Sequence, residues 1–217
     1  MLQSNPTKRG TGVAIYGDYG DLISLYDTVH YIANTLNEAT PMHQLLMNFA
    51  YEIRHAYQGD RDEDVHSYGD GHKVHYYGFN IVWTDIIIFI ATLRHCAGYI
   101  LTQKLNQANL YILEYVVEKA LFEYDPEGAH VITENYIQRT NVLNPYVFLI
   151  YQAMHIQFVS GVPGKNRFRN IPNLFRNHLS EYSPEYKNFI SSLELSAKQN
   201  NCDIKDLEFN DFPDIKW

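Results

Sequence analysis

The spacing of apolar side chains along the chain predicts a protein built mainly of helices. Leu22, Leu25, Val29 and Ile32 recur every three or four positions, which is the repeat of one helical face. Similar spacing predicts further helices over residues 41–58, 84–100, 105–123, 129–139, 144–158, 171–180 and 184–199. Residues 11–19 and 73–83 are instead rich in β-branched and aromatic side chains, which favours strands.

These elements predict an α+β fold, predominantly α-helical, in which the two strands pair as a small two-stranded antiparallel sheet. Two strands are not stable alone, so helices must cover one face of that sheet. Hydrophobic residues make up 46% of the chain and charged residues 19%, a composition typical of folded proteins. We therefore expect a single domain over residues 1–217, with an acidic C-terminal tail, residues 201–217, at its periphery. This tail carries Phe209, Phe212 and Trp217 and either docks across the surface or stays mobile.

A polar segment separates the second predicted helix from the second predicted strand. Residues 59–71 consist almost entirely of Gly, Asp, Glu, Arg, His, Ser and Tyr, with Val65 as the exception. We expect a loop there, which is either a mobile tip or a functional loop.

Tyrosine is the unusual residue of the composition, since 18 tyrosines stand against 2 tryptophans. Tyr suits half-buried surfaces, where the ring is covered and the hydroxyl reaches water or a partner. A Tyr-rich surface therefore predicts a homo-oligomer or another protein partner. The formal net charge of −8 argues against a general phosphate-binding surface, although it leaves room for a local basic patch.

Several features favour a cytoplasmic location without membrane association. The first ten residues lack the apolar core of a signal peptide, and the apolar run over residues 86–91 is too short to cross a bilayer. The two cysteines, Cys96 and Cys202, match neither a zinc-ligand spacing nor a disulfide framework. A reducing compartment fits this use of cysteine.

Ionisable residues concentrate where the second predicted helix ends. Glu52, Arg54, His55 and Asp60 are the candidate catalytic residues, with His55 as an acid or base or Arg54 as an anion clamp. The alternative is a network of caps and salt bridges that ties the helix to the following loop, since basic groups favour a helix C-terminus. The sequence favours this second interpretation.

A metal site is a second hypothesis for the same region. The candidate ligands are Glu52, His55, Asp70, His72 and His75, residue types that bind Zn, Mn or Fe. Glu52 and His55 share one helical face because they are three positions apart. His72 and His75 point to opposite faces of a strand, which weakens a shared role. We expect no cofactor, and a divalent metal is the alternative.

A basic segment near residues 161–178 is the candidate nucleic-acid or anion-binding site. It contains no acidic residue, and its four cationic side chains are Lys165, Arg167, Arg169 and Arg176. Two phenylalanines interleave with them, a composition that can hold phosphates and stack bases. The alternative is that these cations pair with the acidic excess of the same chain, and the sequence favours that alternative.

Two segments resemble an uncharacterised bacterial family that carries a domain of unknown function. The first covers residues 46–61, with Tyr-Glu-Ile-Arg-His-Ala-Tyr-Gln-Gly-Asp-Arg at its centre. The second covers residues 5–19 and includes Pro-Thr-Lys-Arg-Gly-Thr-Gly-Val-Ala-Ile-Tyr-Gly-Asp-Tyr. The resemblance implies a bacterial cytoplasmic setting, and it implies no activity, cofactor or catalytic residue.

Three classes of function remain open at this point. A non-catalytic binding or regulatory module explains the acidity, the excess of tyrosine and the lack of a complete catalytic motif. A metal-dependent hydrolase or oxidase would use the His/Glu/Asp cluster described above. A nucleic-acid-associated protein would act through the basic segment. The sequence favours the first class, and it favours a protein that is not an enzyme.

Overall fold

The computed structural model describes residues 1–67, 69, 71–137 and 139–217. Within these residues, four strands form one antiparallel sheet in the order β1-β2-β4-β3. The strands are β1 (Gln3–Pro6), β2 (Gly12–Gly17), β3 (Asp62–Ser67) and β4 (Lys73–Val82).

The prediction of a two-stranded sheet is corrected to four strands among the described residues. The two predicted strands are β2 and β4, and they do pair antiparallel, with Ile15 opposite Phe79. Strand β3 lies within residues 59–71, which were predicted as a loop. Every residue of β3 is exposed, so no alternation of apolar and polar positions marks it in the sequence. Its strand conformation comes with pairing to β4, with Asp64 opposite Tyr76.

Helices account for most of the remaining chain, as the apolar spacing predicts. They are α1 (Tyr19–Ala33), α2 (Pro41–Tyr57), α3 (Trp83–Ala97), α4 (Lys104–Tyr124), α5 (Pro126–Asn135), α6 (Val147–Ser160), α7 (Lys165–Arg169), α8 (Ile171–Leu179) and α9 (Pro184–Asn200). A 3₁₀ turn over Ile204–Asp206 follows α9. Among the described residues, no helix is both long enough and apolar enough to cross a bilayer.

Helix α5 begins three residues earlier than its apolar spacing predicts. Asp125 caps it, because the carboxylate accepts a hydrogen bond from the backbone N–H of Gly128 at 3.1 Å. Pro126 then occupies the first helical position, where its missing N–H costs nothing. The cap is formed by polar residues, which an apolar repeat does not detect.

The inner face of the sheet and the helices share one contiguous apolar core. Val13, Ile15 and Phe79 point into it from the sheet and are fully buried. Helix α3 lies at its centre and is buried on all sides from Trp83 to Leu93. Because side chains alternate along strands, the opposite face of the sheet carries a different set of residues, which are mostly polar.

Candidate functional site

A cleft opens beside β4 because β3 is shorter than its neighbour. Strand β3 begins at Asp62, which pairs with Gly78 of β4. The rest of β4, Phe79–Val82, therefore pairs with β2 alone among the described strands. The free edge of Phe79–Val82 borders a cavity of about 530 Å³. Helices α2, α3 and α6 and the C-terminal segment complete its walls. The polar residues of the lining include Glu52, Arg61, Asp62, Asp85, Tyr151 and His155.

A buried pair, Asp85 and His155, lies in the wall of this cleft. Asp85 comes from the first turn of α3 and His155 from α6, and the residues are 5% and 8% exposed. The Nδ1 atom of His155 lies 2.7 Å from Oδ2 of Asp85. The hydroxyl of Thr84 donates to the other carboxylate oxygen at 3.0 Å. The carboxylate therefore fixes the orientation of the imidazole.

The same pair sets the protonation of His155. Burial lowers the pKa of the imidazole, but the charge of Asp85 and the hydrogen bond to it outweigh burial and leave the pKa above its ordinary value. Because Asp85 accepts the hydrogen bond, Nδ1 carries the proton in both charge states of the ring. Within the described part of the chain, Nε2 makes no hydrogen bond, so it is the nitrogen that remains for a ligand.

Tyr151 lies one helical turn before His155 and lines the same cleft. Its ring packs on Phe89, with ring centroids 5.4 Å apart. Burial, followed by the charges of Asp85 and Glu52, raises the pKa of Tyr151 well above its ordinary value. The phenol is therefore a neutral proton donor, and its hydroxyl has no hydrogen-bond partner in the described residues.

Of the four predicted catalytic residues, the structure brings Glu52 to the cleft. Its carboxylate accepts two hydrogen bonds from Arg61, at 3.0 and 3.2 Å, and forms an ion pair with it. His55 pairs with Asp60 at 2.9 Å. Arg54 lies against the ring of Tyr51 at 5.3 Å. These contacts follow the pattern of the alternative interpretation, a network that joins the end of α2 to β3.

The predicted metal ligands do not converge on a common point. Nδ1 of His75 lies 2.5 Å from Glu63, whereas His55 pairs with Asp60. Asp70 lies outside the described residues, and His72 lies between β3 and β4. In the described ranges, no group of three or more His, Cys, Asp or Glu side chains is arranged to hold a metal ion.

The cations of the basic segment contact the protein itself. Arg169 donates to Asp125 at 2.6 and 2.8 Å, and Lys165 lies 3.5 Å from the same carboxylate. Hydrogen bonding to Arg169, helped by the Gly128 N–H and by the nearby charges, lowers the pKa of Asp125 to about 2.

The other two basic side chains also have protein partners. Arg167 donates to the carbonyl oxygens of Phe158 and Gly161, each at 3.2 Å, and to the Thr11 hydroxyl at 2.8 Å. Arg176 donates to Asn173 at 2.8 Å. The segment thus packs against its own chain, and Arg169 and Lys165 pair with an acidic residue as the alternative interpretation holds.

Tyrosines cluster on the surface formed by α1 and α2. Tyr57 makes edge-to-face contacts with Tyr19 and Tyr26, with ring centroids 5.7 Å apart in each pair. Tyr19 is 54% exposed. A protein partner or a second copy at this surface stays a prediction.

Sequence reasoning missed Asp85, Tyr151 and His155, which form the most complete polar arrangement in the cleft. One signal was available, because Tyr151 and His155 are four positions apart on an otherwise apolar helix and so share a face. Asp85 follows Thr84 at the start of α3 and therefore resembles an ordinary first-turn acid. Nothing in the sequence indicates that these two helix faces meet.

The family model for a domain of unknown function, DUF6904, matches residues 2–217. The chain belongs to the DUF6904 family. The predicted resemblance to a family carrying a domain of unknown function is thereby confirmed, while the bacterial and cytoplasmic setting stays a prediction. Neither a curated protein nor a solved structure matches the chain.

Proposed function

We propose that this DUF6904 protein is a binding module that takes a small uncharged polar organic molecule into the cleft beside β4. The observation that carries the proposal is the pair of unpartnered polar atoms in one wall, the Tyr151 hydroxyl and Nε2 of His155. Both atoms face the open cleft rather than a sealed interior, so a ligand that hydrogen-bonds to them can replace water there. A volume of about 530 Å³ is within the range of small-molecule sites.

The charges in the cleft select the class of ligand. Burial is the largest cause of the raised pKa of Tyr151, and the carboxylates of Asp85 and Glu52 raise it further, so both act on the phenol as negative charges. A ligand carboxylate beside the phenol would be repelled by these two carboxylates. A neutral carbonyl or hydroxyl oxygen can accept the Tyr151 proton without this cost. The apolar floor of the cleft, which includes Phe89 and Ile81, suits the remainder of such a molecule.

Two ligands of matched shape test the proposal: benzamide and benzoate. Ligand-observed NMR at neutral pH is expected to rank benzamide above benzoate. Replacing Tyr151→Phe is expected to weaken benzamide binding about fivefold, because one hydrogen bond of about 1 kcal/mol is lost. Tyr115→Phe is the matched control, since Tyr115 is exposed on α4 and does not line the cleft. Preferential binding of benzoate, or benzamide binding unchanged in Tyr151→Phe, contradicts the proposal.

Acid–base catalysis in the same cleft is the second candidate function, and the Asp85–His155 hydrogen bond of 2.7 Å favours it. An imidazole held by a carboxylate at Nδ1 can exchange a proton through Nε2. In amide hydrolysis, Nε2 would take a proton from water as its oxygen attacks the carbonyl carbon. It would then give that proton to the departing amine. Release of benzoate and ammonia from benzamide, lost in His155→Asn, would separate this function from binding alone.

A further inference from the structure

The outer face of the sheet carries a second cavity, away from the helices, with a volume of about 730 Å³. Strand registers place Gln3, Tyr16, Gly78 and Asp62 in one row across the four strands. Asp64 and Tyr76 face each other in a second row on the same face, because side chains two positions apart point the same way. The C-terminal residue Trp217 also lines this cavity.

Aromatic rings form much of the wall of this cavity. The ring of Tyr16 lies flat across Gly78, since a Cβ atom at position 78 would come within 2.3 Å of Tyr16 Cδ1. Glycine at position 78 is therefore what allows the ring to lie along the sheet. Tyr76 and Trp217 present two further aromatic side chains to the same space.

Carboxylates stand beside these rings. Asp62 and Asp64 line the same cavity as Tyr16. Burial, followed by the charges of these two carboxylates, raises the pKa of Tyr16. In the described ranges Asp62 has no ion pair, and its side-chain partner is the amide of Asn80 at 2.9 Å. The cavity is also lined by Glu63, Lys8 and His66. Lys8 offsets one of the three carboxylate charges, and Nε2 of His66 lies 3.3 Å from Asp64. The cavity therefore combines an excess of negative charge with aromatic faces.

We propose that this cavity binds an organic cation, specifically a substituted ammonium group. Aromatic faces attract cations through their quadrupoles, and weakly hydrated alkylammonium groups gain the most because they lose little hydration on entering. A carboxylate beside the rings adds Coulomb attraction. The cation is either a free small molecule of the choline type or a methylated lysine side chain of a peptide, because both present the same trimethylammonium group.

This inference is independent of the function proposed for the cleft beside β4. Asp62, Asn80 and Trp217 border both cavities, whereas Tyr16 lines the sheet cavity alone and Tyr151 the cleft alone. Tyr16→Leu is therefore expected to affect cation binding and Tyr151→Phe is not. Failure of one proposal is thus distinguishable from failure of the other.

The test uses choline chloride and its uncharged isostere 3,3-dimethyl-1-butanol on the full chain. Binding is followed through the indole N–H resonance of Trp217, with the fully buried Trp83 as an internal reference. Choline is expected to shift the Trp217 resonance and the isostere to bind at least about tenfold more weakly. Asp62→Asn and Tyr16→Leu are each expected to weaken choline binding about threefold to thirtyfold, the range of cation–π and charge effects.

Matched controls decide between a specific site and a general charge effect. Glu181→Gln makes the same change in net charge at an exposed turn and is expected to leave choline binding unchanged. A glycine-flanked trimethyl-lysine peptide that binds more tightly than choline would support the peptide source, and equal binding would support the free cation. Equal affinity for choline and its isostere, or choline binding unaffected by both Asp62→Asn and Tyr16→Leu in folded variants, would overturn the proposal.

Discussion

Helix α3 contributes to two buried ion pairs that differ in how much of their hydrogen-bonding capacity the protein itself uses. At its C-terminal end, Arg94 donates to Glu114 through Nε and Nη2, to Gln107 through Nη1 at 3.0 Å, and stacks on Tyr111 at 4.2 Å. At its N-terminal end, Asp85 binds one nitrogen of His155 and leaves the other without a partner in the described structure. Arg94 is held by protein groups on several sides, whereas His155 keeps bonding capacity beside a cavity.

The comparison shows that burial of a charged pair does not by itself indicate function. Arg94 and His155 are both polar groups on apolar helices, and burial alone would treat them alike. What separates them is whether the protein uses all of their hydrogen-bonding capacity. A group that keeps a free donor or acceptor at a cavity is the one that suits a ligand.

Breaking the ion pair between Arg94 and Glu114 is expected to have the largest effect on stability. Glu114→Ala leaves the guanidinium of Arg94 buried without its carboxylate, so we expect the free energy of unfolding in urea to fall by about 3–5 kcal/mol. Replacing both residues, Arg94→Met with Glu114→Leu, is expected to recover most of this loss because no unpaired charge remains. A loss under about 1 kcal/mol in Glu114→Ala would contradict the structural role of the pair.

Removing His155 is expected to have a smaller effect that depends on pH. Because the pKa of His155 is raised by folding, its stabilisation is fully present below the unfolded pKa of about 6.5 and is lost as pH rises through the folded value. His155→Asn is therefore expected to lower the unfolding free energy by about 2 kcal/mol at acidic pH and by less at alkaline pH. Urea unfolding of the unmodified protein and of His155→Asn at several pH values measures the difference between their unfolding free energies. A difference that grows with rising pH would contradict a raised pKa for His155.

The smallest effect on the free energy of unfolding is expected from replacing Tyr151. Since its hydroxyl has no partner among the described residues, Tyr151→Phe should change the unfolding free energy by less than about 0.5 kcal/mol. Tyr136→Phe is the matched comparison, because the Tyr136 hydroxyl donates to the Pro172 carbonyl at 2.9 Å. That variant is expected to lose about 1 kcal/mol. A larger loss at Tyr151 than at Tyr136 would show that Tyr151 is a structural residue.

The outcome at the C-terminal segment shows how far a sequence prediction reaches. Residues 201–217 were expected at the periphery, either docked across the surface or mobile, and their sequence does not say where they would dock. In the structure, Ile215 and Trp217 pack against the core, and the Lys216 carbonyl accepts a hydrogen bond from Thr11 at 2.7 Å. The partner lies 205 residues away, so no local pattern could have indicated it.

The sequence by itself determined the longer helices and the central strand pair, because helix and strand periodicities are local properties of side-chain spacing. It did not indicate the short helix α7. It also favoured contacts within the protein itself for the ionisable groups near Glu52 and Arg169, over catalytic or nucleic-acid-binding roles. Tertiary structure alone decided that β3 is a strand and that the faces of α3 and α6 bring Asp85 to His155. Those facts depend on contacts between distant segments, and the identity of a residue does not specify which distant segment it will meet.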